Sequence, residues 1–221
     1  MSSIAIMQPY FFPYGGYFSL ASASDTFVFF DDVNFIKKGW INRNKLCNDI
    51  NIVVPLRKAS INKKINEIEI INEKNWRTKL LNSLNHCYHK APYFDNIYSL
   101  VECVIEPQYK SIADMARESI VRSSEYLSLN CHWEVSSTHY PETATQKGAQ
   151  RLQAITKGNR CSHYYNPIGG IELYSKEDFL KRGIHLEFIS NNSMGKISIL
   201  DYMMRHPPDT IKKLINEYNI S

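Results

Sequence analysis

Apolar and polar positions in the first thirty residues predict two buried strands with a helix between them. Ile4-Ala5-Ile6-Met7 is a continuous apolar run, and residues 4–8 read as a strand. Thr26–Phe30 is rich in β-formers and apolar throughout, as expected of a strand covered on both faces. Residues 18–24, carrying Phe18 and Leu20, predict a short helix. Residues 50–56 predict a third strand, and Ile65–Ile71 alternate as an exposed fourth would. From Trp76 onward the period changes. Trp76, Leu80, Leu81, Leu84 and Tyr88 form one helical stripe before Pro92, and Ile97, Leu100, Val101, Val104 and Ile105 form another before Pro107. Ser111 is placed to cap a third helix, which carries Ile112, Met115, Ala116, Ile120 and Leu127. Strand and helix then alternate: a strand at 132–136, a helix at 146–157 with Ala149, Leu152 and Ile155 inward, and strands at 161–165 and 185–189. Such alternation implies parallel pairing through right-handed crossovers. The expected fold is one α/β domain over residues 1–221, with a doubly wound, mostly parallel, Rossmann-like sheet and a helical insertion at about 73–129.

Composition adds little to that picture. The chain is 43% apolar and 22% charged, ordinary for a globular protein. No apolar run reaches the roughly 18 residues of a membrane span, and no basic stretch followed by an apolar segment opens the chain. The five cysteines are odd in number, widely spaced and without a Cys-x-x-Cys, which suits reduced thiols. The expected location is therefore cytoplasmic. His86 and His89 share a helix face, but no third ligand follows at a recognisable spacing, so no metal site is expected.

Charge distribution is more informative than the net +4. Lys37, Lys38, Arg43, Lys45, Arg57, Lys58, Lys63 and Lys64 crowd between residues 37 and 64, against only Asp49. Such an excess favours an anionic ligand, and equally describes a solvated loop surface. No nucleic-acid-binding motif accompanies it, and DNA is not an expected partner.

Four loops carry the candidate chemistry. The first strand runs into Gln8-Pro9-Tyr10-Phe11-Phe12-Pro13-Tyr14-Gly15-Gly16-Tyr17. Its prolines fix φ, its glycines permit close approach, and its tyrosines set hydroxyls on rigid supports. Asp31-Asp32 ends the second strand, where ligands of open α/β sheets bind. One carboxylate would face the crevice as a general base, or the pair would cap a turn. Lys38-Gly39-Trp40-Ile41-Asn42-Arg43-Asn44 offers a point charge, a stacking face, two amides and a guanidinium fork. Tyr165-Asn166-Pro167-Ile168-Gly169-Gly170 follows a late strand and echoes the first loop.

Met7–Tyr14, Asp31-Asp32-Val33, Lys38–Asn44, Tyr165–Gly170 and Leu173-Tyr174-Ser175-Lys176 together resemble the WbqC-like protein family across essentially the whole chain. The resemblance implies a bacterial protein of surface-polysaccharide, or O-antigen, synthesis. A weaker likeness links Tyr14-Gly15-Gly16-Tyr17 to the His-x-Gly-His of Rossmann-like nucleotidylyltransferases, with tyrosines replacing both histidines. Lys196-Ile197-Ser198-Ile199-Leu200 stands where those enzymes grip phosphate. Tyrosine donates a hydrogen bond but does not become cationic.

The expected function is binding of a nucleotide-activated sugar, with acyl or aminoacyl transfer to a sugar amine. Asp31, Asp32, Tyr14 and Tyr17 are the candidate catalytic groups. Gln8, Pro9, Tyr10, Gly15, Gly16, Lys38, Trp40, Asn42, Arg43, Asn44, Tyr165, Asn166, Gly169 and Gly170 are the candidate ligand contacts. An activated acyl donor is the expected co-substrate. Two alternatives stand: a nucleotidylyltransferase-like enzyme using a nucleoside triphosphate with Mg²⁺, and a non-catalytic sugar-nucleotide binding or scaffold protein.

Overall fold

The computed structural model describes residues 2–221. Strand β1 (Ser3–Met7) leads into helix α1 (Gly15–Ser22) and strand β2 (Thr26–Phe29). A ribbon of β3 (Arg43–Lys45) and β4 (Asn51–Val53) follows, then helices α2 (Lys74–Tyr88), α3 (Phe94–Ile105) and α4 (Ile112–Tyr126). The chain returns to the sheet through β5 (His132–Val135), a short α5 (Ser136–His139), α6 (Gly148–Gly158), β6 (His163–Pro167), α7 (Lys176–Leu180) and β7 (His185–Asn191). Helices α8 (Ile199–Arg205) and α9 (Pro208–Asn216) and strand β8 (Tyr218–Ile220) complete it.

The main sheet has the order β5-β2-β1-β6-β7-β8. Every pair is parallel except β7–β8. This is a mostly parallel, Rossmann-like α/β fold, as the alternation of strand and helix predicts. Period-two side chains divide two cores. Ala5, Phe27 and Phe29 face the layer holding α1, α8, α9 and the stripes of α2–α4. Ile4, Ile6, Val28, Tyr164, Leu186 and Phe188 face Leu152 and Ile155 of α6 and Phe179 of α7. The helical block at 74–126 thus shares the first core. Ser111 caps α4 by accepting from the Asp114 amide, while Asp114 returns bonds to Ser111.

Three local expectations are corrected. The first helix begins at Gly15, not at 18, and is apolar around most of its circumference because it is buried between sheet and α9. The strand read at 50–56 shortens to β4 and pairs only with β3, outside the main sheet. Residues 65–71 are not a strand. Ile65–Glu67 form a 3₁₀ turn, and Ile65, Ile68 and Ile70 are all buried, so their spacing reflects packing under α4. The Ile112 amide takes the Ile68 carbonyl that a neighbouring strand would have used.

Candidate functional site

The strand order reverses direction between β1 and β6, and in open α/β sheets ligands bind outside the carboxyl ends of the strands at that point. The loops after β1, β2 and β6 leave from this same edge because the three strands are parallel.

The first loop is built under strain and held in place. Phe12 has φ of +42°, a left-handed conformation costly for a bulky residue, by about 1–3 kcal/mol. Three distant elements hold it. Its amide donates to Ser119 Oγ of α4 at 2.9 Å. Its carbonyl accepts from Asn44 Nδ2 of β3 at 2.6 Å and from Ser198 Oγ, the cap of α8, at 2.8 Å. The Phe11 amide reaches the carbonyls of Trp40 and Ile41 at 3.4 and 3.2 Å. Residues 40–44 are thereby docked along the first loop. Ser119 has no feature in sequence that separates it from any other helical serine.

At the end of the loop, Gly15 opens α1 beneath Met194. A Cβ at this position would stand 2.2 Å from Met194 Sδ, so only glycine admits that contact. Tyr10, Tyr14 and Tyr17 cluster here. Tyr17 is fully buried, its ring 5.2 Å from that of Phe27, and its hydroxyl donates to the Gln8 carbonyl at 2.9 Å. It supports the loop from within the core. Tyr10 and Tyr14 are half-buried, and their hydroxyls find no protein partner among the described residues. Burial, reinforced by the neighbouring Tyr14, pushes Tyr10 up to about 12, and burial raises Tyr14 as well. Both therefore stay protonated near neutral pH and act as donors.

Asp31 and Asp32 do not divide into one inward and one crevice-facing carboxylate. Both are buried. Asp31 accepts from the Ser137 amide (3.1 Å) and hydroxyl (2.7 Å), the Ser136 hydroxyl (3.0 Å) and Asn66 Nδ2 (3.2 Å). Asp32 accepts from Ser136 Oγ at 2.5 Å and pairs with Arg151 Nη2 at 2.5 Å, both side chains of the pair being 4% exposed. Arg151 also donates to Thr143 Oγ1 and lies 4.8 Å over the Phe30 ring. The pair locks β2 to the start of α5 and to α6. Arg151 stands four residues before Ile155, on the inward stripe of its helix; a cation in that position was the available signal for a buried counter-charge.

The remaining candidates separate in the same way. Asn42 is buried and holds β4, donating to the Val54 carbonyl at 2.8 Å. Asn166 turns into the second core, where it donates to the Tyr164 hydroxyl at 2.7 Å. Gly170 makes room for it: a Cβ there would meet Asn166 Oδ1 at 2.0 Å. Tyr165 faces the first core beside Glu187 and Tyr218. Gly169 lies open at the edge. Lys38 is exposed at a loop tip, and Trp40 is half-buried. Arg43 has a buried Nε with no partner. Among the candidates, the side chains of Tyr10, Tyr14, Lys38 and Trp40 make no hydrogen bond within the described residues, Gly169 is open, and Gly15 is packed under Met194. No three His, Cys, Asp or Glu side chains among the described residues converge as a metal centre requires.

The chain belongs to the WbqC-like protein family, whose model matches residues 8–213. That span includes every loop described above. The chain is also similar to the uncharacterized protein Rv1507c of Mycobacterium tuberculosis, at 28% identity over 135 residues. The match covers 59% of this chain and 58% of that protein, so the chain spans little more than half of its relative. No solved structure matches.

Proposed function

We propose that the protein is an enzyme of surface-glycan precursor synthesis that binds a nucleotide-activated sugar across the carboxyl edge between β1 and β6. Its reaction in this reading is acyl or aminoacyl transfer to a sugar amine. The observation that carries the reading is the strained first loop, fixed by Ser119, Asn44 and Ser198, which follows β1 beside the switch point and carries two tyrosines whose hydroxyls have no protein partner among the described residues. Strain held by this many contacts is characteristic of ligand sites. The Gly15-Gly16 amides at the head of α1 meet the diphosphate, and the Arg43 guanidinium forks onto it. Tyr10 and Tyr14 donate toward the oxyanion that develops when the sugar amine attacks the acyl carbonyl. Because Asp31 and Asp32 are already engaged, the amine proton passes to the departing group of the activated donor as the bond from carbonyl to donor breaks.

The test is a thermal-shift and calorimetric survey of nucleotides and nucleotide sugars. A specific ligand raises the midpoint by mass action. Arg43→Ala then weakens binding by about 1.5–3 kcal/mol, the worth of a charge-assisted hydrogen bond, while folding is preserved. If no nucleotide or nucleotide sugar moves the midpoint, the proposal falls. Release of pyrophosphate from a nucleoside triphosphate would replace acyl transfer by nucleotidylyl transfer. Tight binding without turnover for any donor would leave a binding or scaffold protein.

A further inference from the structure

Beside the switch point, two loops leave the body of the protein together. Asn34 and Lys64 form an antiparallel bridge, the Phe35 amide donates to the Lys63 carbonyl, and the Ile65 amide donates to the Val33 carbonyl, both at 2.9 Å. Beyond that bridge each segment turns at once, the Gly39 amide donating to the Ile36 carbonyl and the Lys63 amide to the Ser60 carbonyl, so both turns spring from the one bridge. Two large apolar side chains stand exposed there, Ile36 at 50% and Ile61 at 55%. Around them Lys37, Lys38, Lys58 and Lys63 are exposed and Lys64 is half-buried, and none of the five forms an ion pair among the described residues. The nearby Arg57 is different: it faces Glu69 at 3.5 Å.

We propose that this pair of turns docks the protein on an anionic lipid surface. The two isoleucines enter the boundary between headgroups and acyl chains, and the lysines lie at the level of the lipid phosphates with their alkyl stems along the apolar zone. Unpaired lysines around exposed isoleucines fit a bilayer because a bilayer offers both phases to one small surface. A nucleic acid would engage the lysines and leave both isoleucines in water. Among the described residues no helix is long and apolar enough to cross a membrane. Docking through two apolar side chains and a ring of lysines is peripheral and reversible. It is independent of the nucleotide-sugar reading.

Sedimentation of the full chain with vesicles tests the inference. Vesicles of phosphatidylcholine containing phosphatidylglycerol should carry the protein down, pure phosphatidylcholine should not, and added salt should release it. Each lysine near an anionic surface is worth about fivefold in partitioning, so Lys37→Glu/Lys38→Glu should weaken binding by about twentyfold or more. Ile36→Ser/Ile61→Ser leaves charge unchanged and should still weaken binding several-fold. Circular dichroism and the thermal midpoint should match wild type for both variants, because these side chains are solvent-facing. Wild-type binding by the isoleucine variant would overturn the proposal. So would failure to bind anionic vesicles, whether or not an RNA, DNA or acidic-protein probe is bound.

Discussion

Replacing Asp32 by Asn tests whether this carboxylate is part of the scaffold or part of the chemistry. The substitution keeps shape and removes one charge. In the folded protein Asp32 pairs with Arg151 at 2.5 Å, and both side chains are 4% exposed, so solvent screens the pair very little. Removing the charge leaves the guanidinium buried with only neutral groups in direct contact, the substituted amide, Thr143 Oγ1 and the Phe30 ring. Breaking a buried pair from one side costs about 3–5 kcal/mol, because the surviving charge loses hydration without compensation. For a chain of this size each kcal/mol lowers the midpoint by about 2–4 °C, giving a fall of roughly 6–20 °C. Arg151→Met should cost a similar amount, leaving Asp32 with the Ser136 hydroxyl alone. The double variant carries neither charge, and its cost should fall short of the sum of the singles by about 1–3 kcal/mol. Urea unfolding followed by far-ultraviolet dichroism and tryptophan fluorescence reads these values. Single variants within about 0.5 kcal/mol of wild type, or costs that simply add, would refute the structural assignment and return Asp32 to the candidate bases.

Three further outcomes follow from the first loop. Burial raises Tyr10 to about 12 from an ordinary value of 10.0, so above pH 10 the unfolded chain loses that proton first. Its contribution is intact below pH 10 and is lost as pH rises toward 12, about 2–3 kcal/mol in all, and Tyr10→Phe should flatten the alkaline fall measured by unfolding at stepped pH. Gly15→Ala drives a Cβ into Met194 and should cost about 1–3 kcal/mol as overpacking; Met194→Ala in the same chain should return part of that loss in thermal melts. Asn44→Ala removes the 2.6 Å bond to the Phe12 carbonyl and the acceptor of the Lys45 amide, and should cost about 1–3 kcal/mol in urea unfolding. It should also weaken any nucleotide-sugar binding, because Phe12 is then free to leave its left-handed conformation.

Much of the fold is written locally in the chain. The apolar runs at β1 and β2, the stripes of α2–α4 and the Ser111 cap depend on neighbours within four residues, which is the range over which periodicity and capping act. Parallel pairing follows from alternation, and it puts the loops at 8–17, 31–44 and 166–170 on one edge. The amino-acid sequence by itself therefore determined which loops share the carboxyl edge of the sheet. Tertiary structure decided what each candidate does there. Asp31 and Asp32 meet Ser136, Ser137 and Arg151 more than a hundred positions away, and no local pattern encodes a contact at that separation. Tyr14 and Tyr17 are alike in sequence, yet packing against Phe27 puts Tyr17 in the core and leaves the Tyr14 hydroxyl free. Ile65–Ile71 alternates as a strand would, yet Ile65–Glu67 close a 3₁₀ turn and Ile70 makes a single bridge to Leu56. A strand or a charge becomes what it is by its partner, and the partner is supplied by the fold.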